Sequence, residues 1–334
     1  MKLQILIPHY HEPASVIRPL LDSIAIQQNV DFSEIGVIIC HDGEDIPYFA
    51  RADFFEPREN ILPFYPFKVE QIHIPHKGVS AARNGALDAA TADYVMFCDA
   101  DDMFYNACGL WIIFREIKAD EFDGMISVFI EETRHPVTKE VVYINRENDS
   151  TFVHGKVWHR QYLIDKGIRW NENLTIHEDS YFNSLARNLS EKIKYCTAPF
   201  YLWRWRDDSV CRHDPKYMLK TYKNFIDSND ALVDEYLRRE KQEEAGNICG
   251  MMVLTSYYTM NKPEWINQEN REYRDATERR FGEYYRKHKE LWTGLDQKMK
   301  MRLSNAVRTQ IVQEGMEMEH ETIDGWLRKV EALA

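Results

Sequence analysis

The sequence predicts an α/β protein with a mostly parallel, doubly wound sheet, followed by an α-helical appendage. Three observations carry this expectation. Apolar runs of strand length alternate with amphipathic helical patterns from residue 3 to about residue 98. Polar clusters follow the ends of those runs. From residue 214 onward the pattern changes to long helical segments with charged faces. The expected division is an α/β domain over 1–213 and a helical domain over 214–334.

The elements follow in order. Leu3 to Pro8 (LQILIP) reads as a strand, and Ser15 to Gln27 as a helix with an apolar stripe of Ile17, Leu20, Leu21, Ile24 and Ile26. Ile35 to Cys40 and Val69 to Ile74 are strands, Val79 to Ala90 is a helix, and Tyr94 to Cys98 is a fourth strand. The Pro- and Phe-rich segment 54–67 (FFEPRENILPFYPF) is expected to be irregular. A helix over about 107–118 then leads to strand-like runs at 124–131, 140–145 and 152–159. Short helices at 160–166 and 180–189 flank the loop WNENLTIHED, and two short strands end at Trp205. Helical patterns at 215–240, 243–260, 264–288 and 297–332 complete the chain.

Composition narrows the function classes. With 334 residues, 44% of them apolar and 13% aromatic, the chain is long enough for a full core and is globular. Its apolar runs are strand-sized and MKLQILIPHY lacks signal-peptide character, so a soluble, cytoplasmic protein without an integral membrane segment is expected. Six cysteines without a CxxC pair read as reduced structural thiols. The net charge of −12 is uneven: residues 1–215 hold 22 Lys+Arg against 33 Asp+Glu, and 216–334 hold 20 against 21. This disfavours a broad nucleic-acid-binding face on the first part and leaves nucleic acid a place only as an acceptor.

The chemistry concentrates at the strand ends. FCDADDMF crowds Asp99, Asp101 and Asp102 directly behind an apolar run. Such a cluster repels itself unless a cation sits among the acids, and a divalent ion with oxygen ligands suits it. In a parallel sheet, IPHYHEP, CHDGED, HKGVSAARNGAL and CDADD share one edge, so one crevice gathers Tyr10, Asp42, Arg83 and Asp99 to Asp102. Acceptors and a carboxylate suit a base and a ribose, an arginine suits phosphate oxygens, and the acids suit a metal bridging a diphosphate.

ILIPHY, HDG, GVSAARNGAL, DADD, the HED of 177–179 and HGK at 154–156 together resemble the family 2 inverting glycosyltransferases of the GT-A fold, over roughly residues 1–213. The resemblance implies metal-assisted transfer, with Mn²⁺ or Mg²⁺, of a sugar from a nucleotide-sugar donor, a UDP-sugar, to a hydroxyl acceptor on a glycan, polymer, protein or modified nucleobase. It implies that Pro8, Tyr10 and Asp42 hold the uracil, that Arg83 reaches the base or diphosphate, and that Asp99 binds ribose or a water beside the metal. Asp101 is then the direct metal ligand, with Asp102 in the same cluster. Asp179 is the catalytic base, and Glu178 helps to orient the acceptor. Family members often carry a histidine where this chain has Arg206; an arginine cannot ligate a cation but neutralises phosphate, which leaves His213 as a candidate further ligand.

Two other readings compete. A sugar nucleotidyltransferase shares an acidic metal site but needs a Gly-rich loop after the first strand, which HYHEPAS lacks. A non-catalytic nucleotide or sugar binder is opposed by the presence of both Asp101 and Asp179. The helical patterns of 214–334 suit assembly, including a homo-oligomer, or acceptor delivery. Trp203 and Trp205 could stack on a sugar face or fill the junction with the helical part, and both are expected to be core.

Overall fold

The computed structural model describes residues 1–43, 62, 65–149, 151–207, 209, 214, 216–313 and 322–334. Most of the 54–67 segment and His213 lie outside the described residues. The described chain divides into two compact units, Met1–Asp207 and Asp208–Ala334.

The first unit is built on a nine-stranded sheet of order β3-β2-β1-β4-β8-β6-β9-β5, with β7 paired to β6. The strands are β1 (Leu3–His9), β2 (Ile35–Asp42), β3 (Lys68–Ile74), β4 (Tyr94–Phe97), β5 (Met103–Phe104), β6 (Gly124–Arg134), β7 (Val141–Arg146), β8 (Lys156–His159) and β9 (Ile193–Trp203). Strands β3, β2, β1 and β4 are parallel, and every residue of β1, β2 and β4 is buried, which is why they read as unbroken apolar runs. Pro8 lies beyond Leu6, the last β1 residue paired to β4, where the strand has a neighbour on one side only and a missing N–H is tolerated.

The chain moves from β1 to β2 and β3 in one direction and returns to place β4 on the other side of β1. The carboxyl ends of β1 and β4 therefore flank a topological switch point, the position where open α/β sheets leave a crevice for ligands. Beyond β4 the sheet is mixed: β8 runs antiparallel to both β4 and β6, and β6 pairs parallel with β9.

Helices α1 (Ala14–Ala25), α2 (Val79–Ala89) and α3 (Gly109–Ala119) serve the sheet. Ile17, Leu20, Leu21 and Ile24 of α1 share one core with Leu3, Ile5, Ile7, Ile39 and Met96. The short α4 (Arg160–Asp165) and α5 (Glu178–Asn188) follow β8.

Two expectations about this sheet are corrected. The two short strands before Trp205 are one eleven-residue strand, β9, because pairing with β6 continues through a register shift between Ser127 and Phe129. The run 152–159 is extended only from Lys156, since Gly155, at φ +64°, closes a turn ahead of it. The two-residue β5 was too short to leave a periodic signal.

The second unit is helical: α6 (Tyr217–Arg238), α7 (Gln242–Met260), α8 (Pro263–Ile266), α9 (Arg271–Gly294), α10 (Gln297–Gln313) and α11 (Ile323–Leu333). Tyr222, Ile226, Tyr236, Cys249, Trp265, Phe281, Tyr284 and Trp326 are buried in it. The expected single helix over 297–332 is two, and the Thr322 side chain accepts from Gly325 N to start α11. Arg280 joins Asp227 and Asp230 of α6 to α9 with two 2.6 Å hydrogen bonds.

Candidate active site

Helix α2 begins at Gly78, whose φ of +98° suits glycine, and the preceding loop is held by Asp42 at the end of β2. Asp42 Oδ1 accepts from Lys77 N at 2.7 Å, and Oδ2 accepts from Gly78 N at 2.8 Å and His76 Nδ1 at 2.9 Å. Tyr10, nearly half exposed beyond β1, stacks on His76 with ring centroids 4.4 Å apart. Tyr10 and Asp42 are thus brought together through His76, and Pro8 lies buried just behind Tyr10 in β1. His9 and His41 meet Nδ1 to Nδ1 at 2.8 Å beneath this edge, and burial pushes His41 down to about 4.

One turn into α2, Arg83 is buried and gathers three carboxylates. Nη1 donates to Glu178 Oε1 at 2.9 Å and Asp179 Oδ1 at 2.8 Å, and Nη2 donates to Asp99 Oδ1 at 2.8 Å. The guanidinium lies 4.3 Å from the Trp170 ring centroid. Asn84 fixes that ring by pairing both ways with the Trp170 backbone: Nδ2 donates to the carbonyl and Oδ1 accepts from the N–H, each at 3.0 Å. Burial works against the charge of Arg83, but Asp179, Asp99 and Glu178 outweigh it and hold the guanidinium charged.

The acidic turn after β4 places its three aspartates differently. Burial opposes ionisation of Asp99, yet Arg83 and His154 prevail and hold its carboxyl below the usual range. Asp101 is partly exposed and accepts from Arg206 Nη1 at 3.2 Å; burial and then Asp99 raise its pKa, against the pull of Arg206. Asp102 is sealed in: Oδ2 accepts from Tyr201 OH at 2.5 Å and Oδ1 accepts from Arg204 N at 3.0 Å. Burial, Asp101 and Asp99 drive it well above the carboxylate range.

Among the described residues, which do not include His213, one group at this edge could hold a metal ion. Asp99, Asp102 and His154 each offer a ligand atom within 4.8 Å of one another, and His154 Nδ1 is 3.5 Å from Asp102 Oδ2. Two carboxylate oxygens and an imidazole nitrogen fit a divalent ion such as Mn²⁺, whose charge would reverse the drive toward a neutral Asp102. Asp101 stands beside this group with Arg206 on it. A second acidic group, Asp230, Asp234 and His288, is already neutralised by Arg280 and Lys287.

Asp179 opens α5, with His177 at φ +64° as its N-cap. Its Oδ2 accepts from Val153 N at 3.0 Å and its Oδ1 from Arg83. Burial pushes its pKa up to about 7 against the pull of Arg83, with Glu178 and Asp99 adding to the rise. A carboxyl poised near neutrality beside an acidic turn has the acidity of a general base.

A family model described as glycosyl transferase family 2 matches residues 4–182. The chain belongs to glycosyl transferase family 2. Among curated relatives, it is 22% identical over 227 residues to the uncharacterized glycosyltransferase EpsJ of Bacillus subtilis, covering 62% of each chain. It is 20% identical over 294 residues to the poly(ribitol-phosphate) beta-N-acetylglucosaminyltransferase TarS of Staphylococcus aureus, covering 80% of this chain and 48% of TarS. The chain thus spans about half to two thirds of these relatives. The structure of S. aureus TarS 1-349 in complex with UDP aligns with a TM-score of 0.61 at 17% identity, over 97% of this chain and 95% of that one. Its complex with UDP-GlcNAc aligns at 0.59 and 16%, over 93% and 92%. These likenesses establish the GT-A fold that the motifs led us to expect.

Sequence reasoning missed Trp170 as the bed of Arg83, Tyr201 as the seal of Asp102, and His154 beside the acids. HGK, without a role assigned, was the signal for His154. Trp203 packs on Phe152 and His154 with ring centroids 4.9 Å apart in each case, against the core, whereas Trp205 is partly exposed and donates from Nε1 to Asp207 Oδ1 at 2.9 Å.

Proposed function

We propose that the protein transfers a sugar from a UDP-sugar to a hydroxyl acceptor with inversion of configuration, assisted by a divalent cation. The observation that carries this reading is Asp179: a partly buried carboxyl raised to about 7, oriented by Arg83 and the Val153 N–H, next to an acidic turn at a sheet switch point.

In one displacement, Asp179 takes the proton of the acceptor hydroxyl, the acceptor oxygen bonds to the anomeric carbon, and the bond to the diphosphate oxygen breaks with release of UDP. Asp99, Asp101, Asp102 and His154 would hold the cation, which supplies positive charge to the departing diphosphate. Glu178, whose Oε1 accepts from the same Arg83 nitrogen as Asp179, orients the acceptor. Pro8, Tyr10 and Asp42 receive the uracil, and Arg206, a neighbour of Asp101, exchanges that carboxylate for phosphate. A double displacement with retention would call for a second carboxylate at the sugar, opposite in role to Asp179.

UDP-GlcNAc is the first donor to test, because TarS structures of the same fold are described with UDP and UDP-GlcNAc. The acceptor is a hydroxyl on a glycan, polymer, protein or modified base, and residues 214–334 serve assembly or acceptor delivery. No described helix is long and apolar enough to cross a membrane. The proposed place of work is the cytoplasm, where UDP-sugars are made. Incubation with a panel of UDP-sugars and Mn²⁺ should release UDP, and proton NMR of the product should read the anomeric configuration opposite to the donor's. Saturable binding of UDP-sugars without UDP release from any of them would favour the non-catalytic binder.

A further inference from the structure

Lys156 is buried, with 1% of its surface accessible, and none of the described carboxylates lies within ion-pair distance of its Nζ. Burial lowers its pKa to about 8, with Asp149 and Asp179 opposing that fall from a distance. A buried ammonium is costly, and a methionine would fill the same space without that cost. The ammonium must therefore do something a methionine cannot.

What it does is collect carbonyls. Nζ donates to Phe152 O and, at 3.5 Å, to His154 O, on the inner side of the turn that Gly155 closes. Asn183 Nδ2, from α5, donates to the same Phe152 O at 3.0 Å and to Thr151 O at 2.9 Å. The opposite end of the Phe152–Val153 peptide is the N–H that donates to Asp179 Oδ2 at 3.0 Å. A trans peptide is one rigid plane with its C=O and N–H on opposite edges. Whatever fixes the carbonyl fixes the N–H.

We propose that Lys156 is a positioning residue for Asp179: its ammonium, with the Asn183 amide, locks the Phe152–Val153 peptide so that the Val153 N–H stays on the base. The charge also polarises that peptide toward the carboxylate, since a donor on the carbonyl strengthens the acidity of the N–H across the plane. The inference rests on the proposed role of Asp179, but the lock itself is readable without any donor.

The test uses the full chain and Lys156→Met, which keeps the volume and removes the donor, with Asn183→Leu as a second variant acting on the same carbonyl from the other side. Hydrogen exchange at the Val153 amide should accelerate about tenfold or more in each variant that folds, because the peptide is free to rotate. With UDP-GlcNAc and Mn²⁺, kcat for UDP release should fall roughly 10- to 100-fold while KM for the donor changes less than about twofold, since the loss is one of orientation at the base. Unchanged Val153 exchange in both variants overturns the lock. Accelerated exchange with an unchanged kcat overturns the positioning role. A parent that releases no UDP from any donor counts against the proposed function, and the exchange result still decides the lock.

Discussion

Arg83 donates to Asp179 Oδ1 at 2.8 Å with the nitrogen that also serves Glu178, while its other terminal nitrogen holds Asp99. The acceptor-side candidate and the acidic turn are thus clasped by a single guanidinium. Arg83 was expected to reach for base or diphosphate; in this arrangement both terminal nitrogens are committed to carboxylates.

Arg83→Lys should therefore disturb the base more than the donor. A lysine carries the charge but cannot present a planar fork to three acids. Losing part of a nearby positive charge disfavours the ionised carboxylate, so the acid limb of kcat/KM should move upward from near 7, by about one pH unit. A pH–rate profile of the variant whose limb coincides with the parent's would contradict this.

Asp179→Asn keeps shape and removes the base, so UDP release in the presence of acceptor should fall by about 10² to 10⁴-fold. Calorimetric affinity for UDP should be nearly unchanged, because Asp179 lies outside the strand ends that form the proposed nucleotide crevice.

The same variant should change stability with pH in a defined direction. The folded carboxyl titrates at about 7 and an unfolded one near 3.9, so between those values the folded parent binds more protons and its stability falls as pH rises. Asparagine does not titrate. The gap in unfolding free energy between variant and parent, read by urea denaturation, should widen in favour of the variant from pH 5 to pH 8, by an amount on the order of 3 kcal/mol. A gap that narrows toward pH 8 would show that the folded carboxyl is not raised.

Asp101→Asn should weaken Mn²⁺ binding, because the amide loses the charge that holds a hard cation. Titration calorimetry with Mn²⁺ reads this directly, and turnover in EDTA reads its consequence. Full turnover in excess EDTA would mean that Arg206 itself serves the diphosphate.

Asp42→Ala removes the acceptor of two backbone N–H groups and the His76 imidazole. Leaving them unpaired should destabilise the fold by about 1 to 3 kcal/mol and loosen the entry to α2. UDP affinity should drop with it, and equal affinity in calorimetry would remove the uracil from this corner.

Much of the first half was legible locally. Strands β1, β2 and β4 are covered on both faces, so their burial is written as continuous apolar sequence, and the Ile17–Ile24 stripe of α1 has helical spacing. Pairing is not local. Nothing in KVWH declares that β8 runs antiparallel between β4 and β6, and a register shift let β9 pass for two strands. The site divided in the same way. Asp101 and Asp179 stood out because acids behind apolar runs or at a helix start are conspicuous. The partner of Arg83 could not be read, since Glu178 and Asp179 lie 95 and 96 residues away and meet it only through the sheet.

The seal on Asp102 bears on how the chain is made. Tyr201 and Arg204, which hydrogen-bond to its carboxylate, lie 99 and 102 residues further along, on and just after a strand that pairs with β6. As the chain leaves the ribosome, β1 to β4 can close their parallel ladder early, but the acidic turn must wait for β9. Contacts of such separation are slow to form, and an unfinished sheet edge is where nascent α/β chains stick to one another. Here that waiting edge ends in three ionised aspartates, which stay hydrated and repel their like on neighbouring chains. The charges that crowd the finished site would thus also shield the half-made protein.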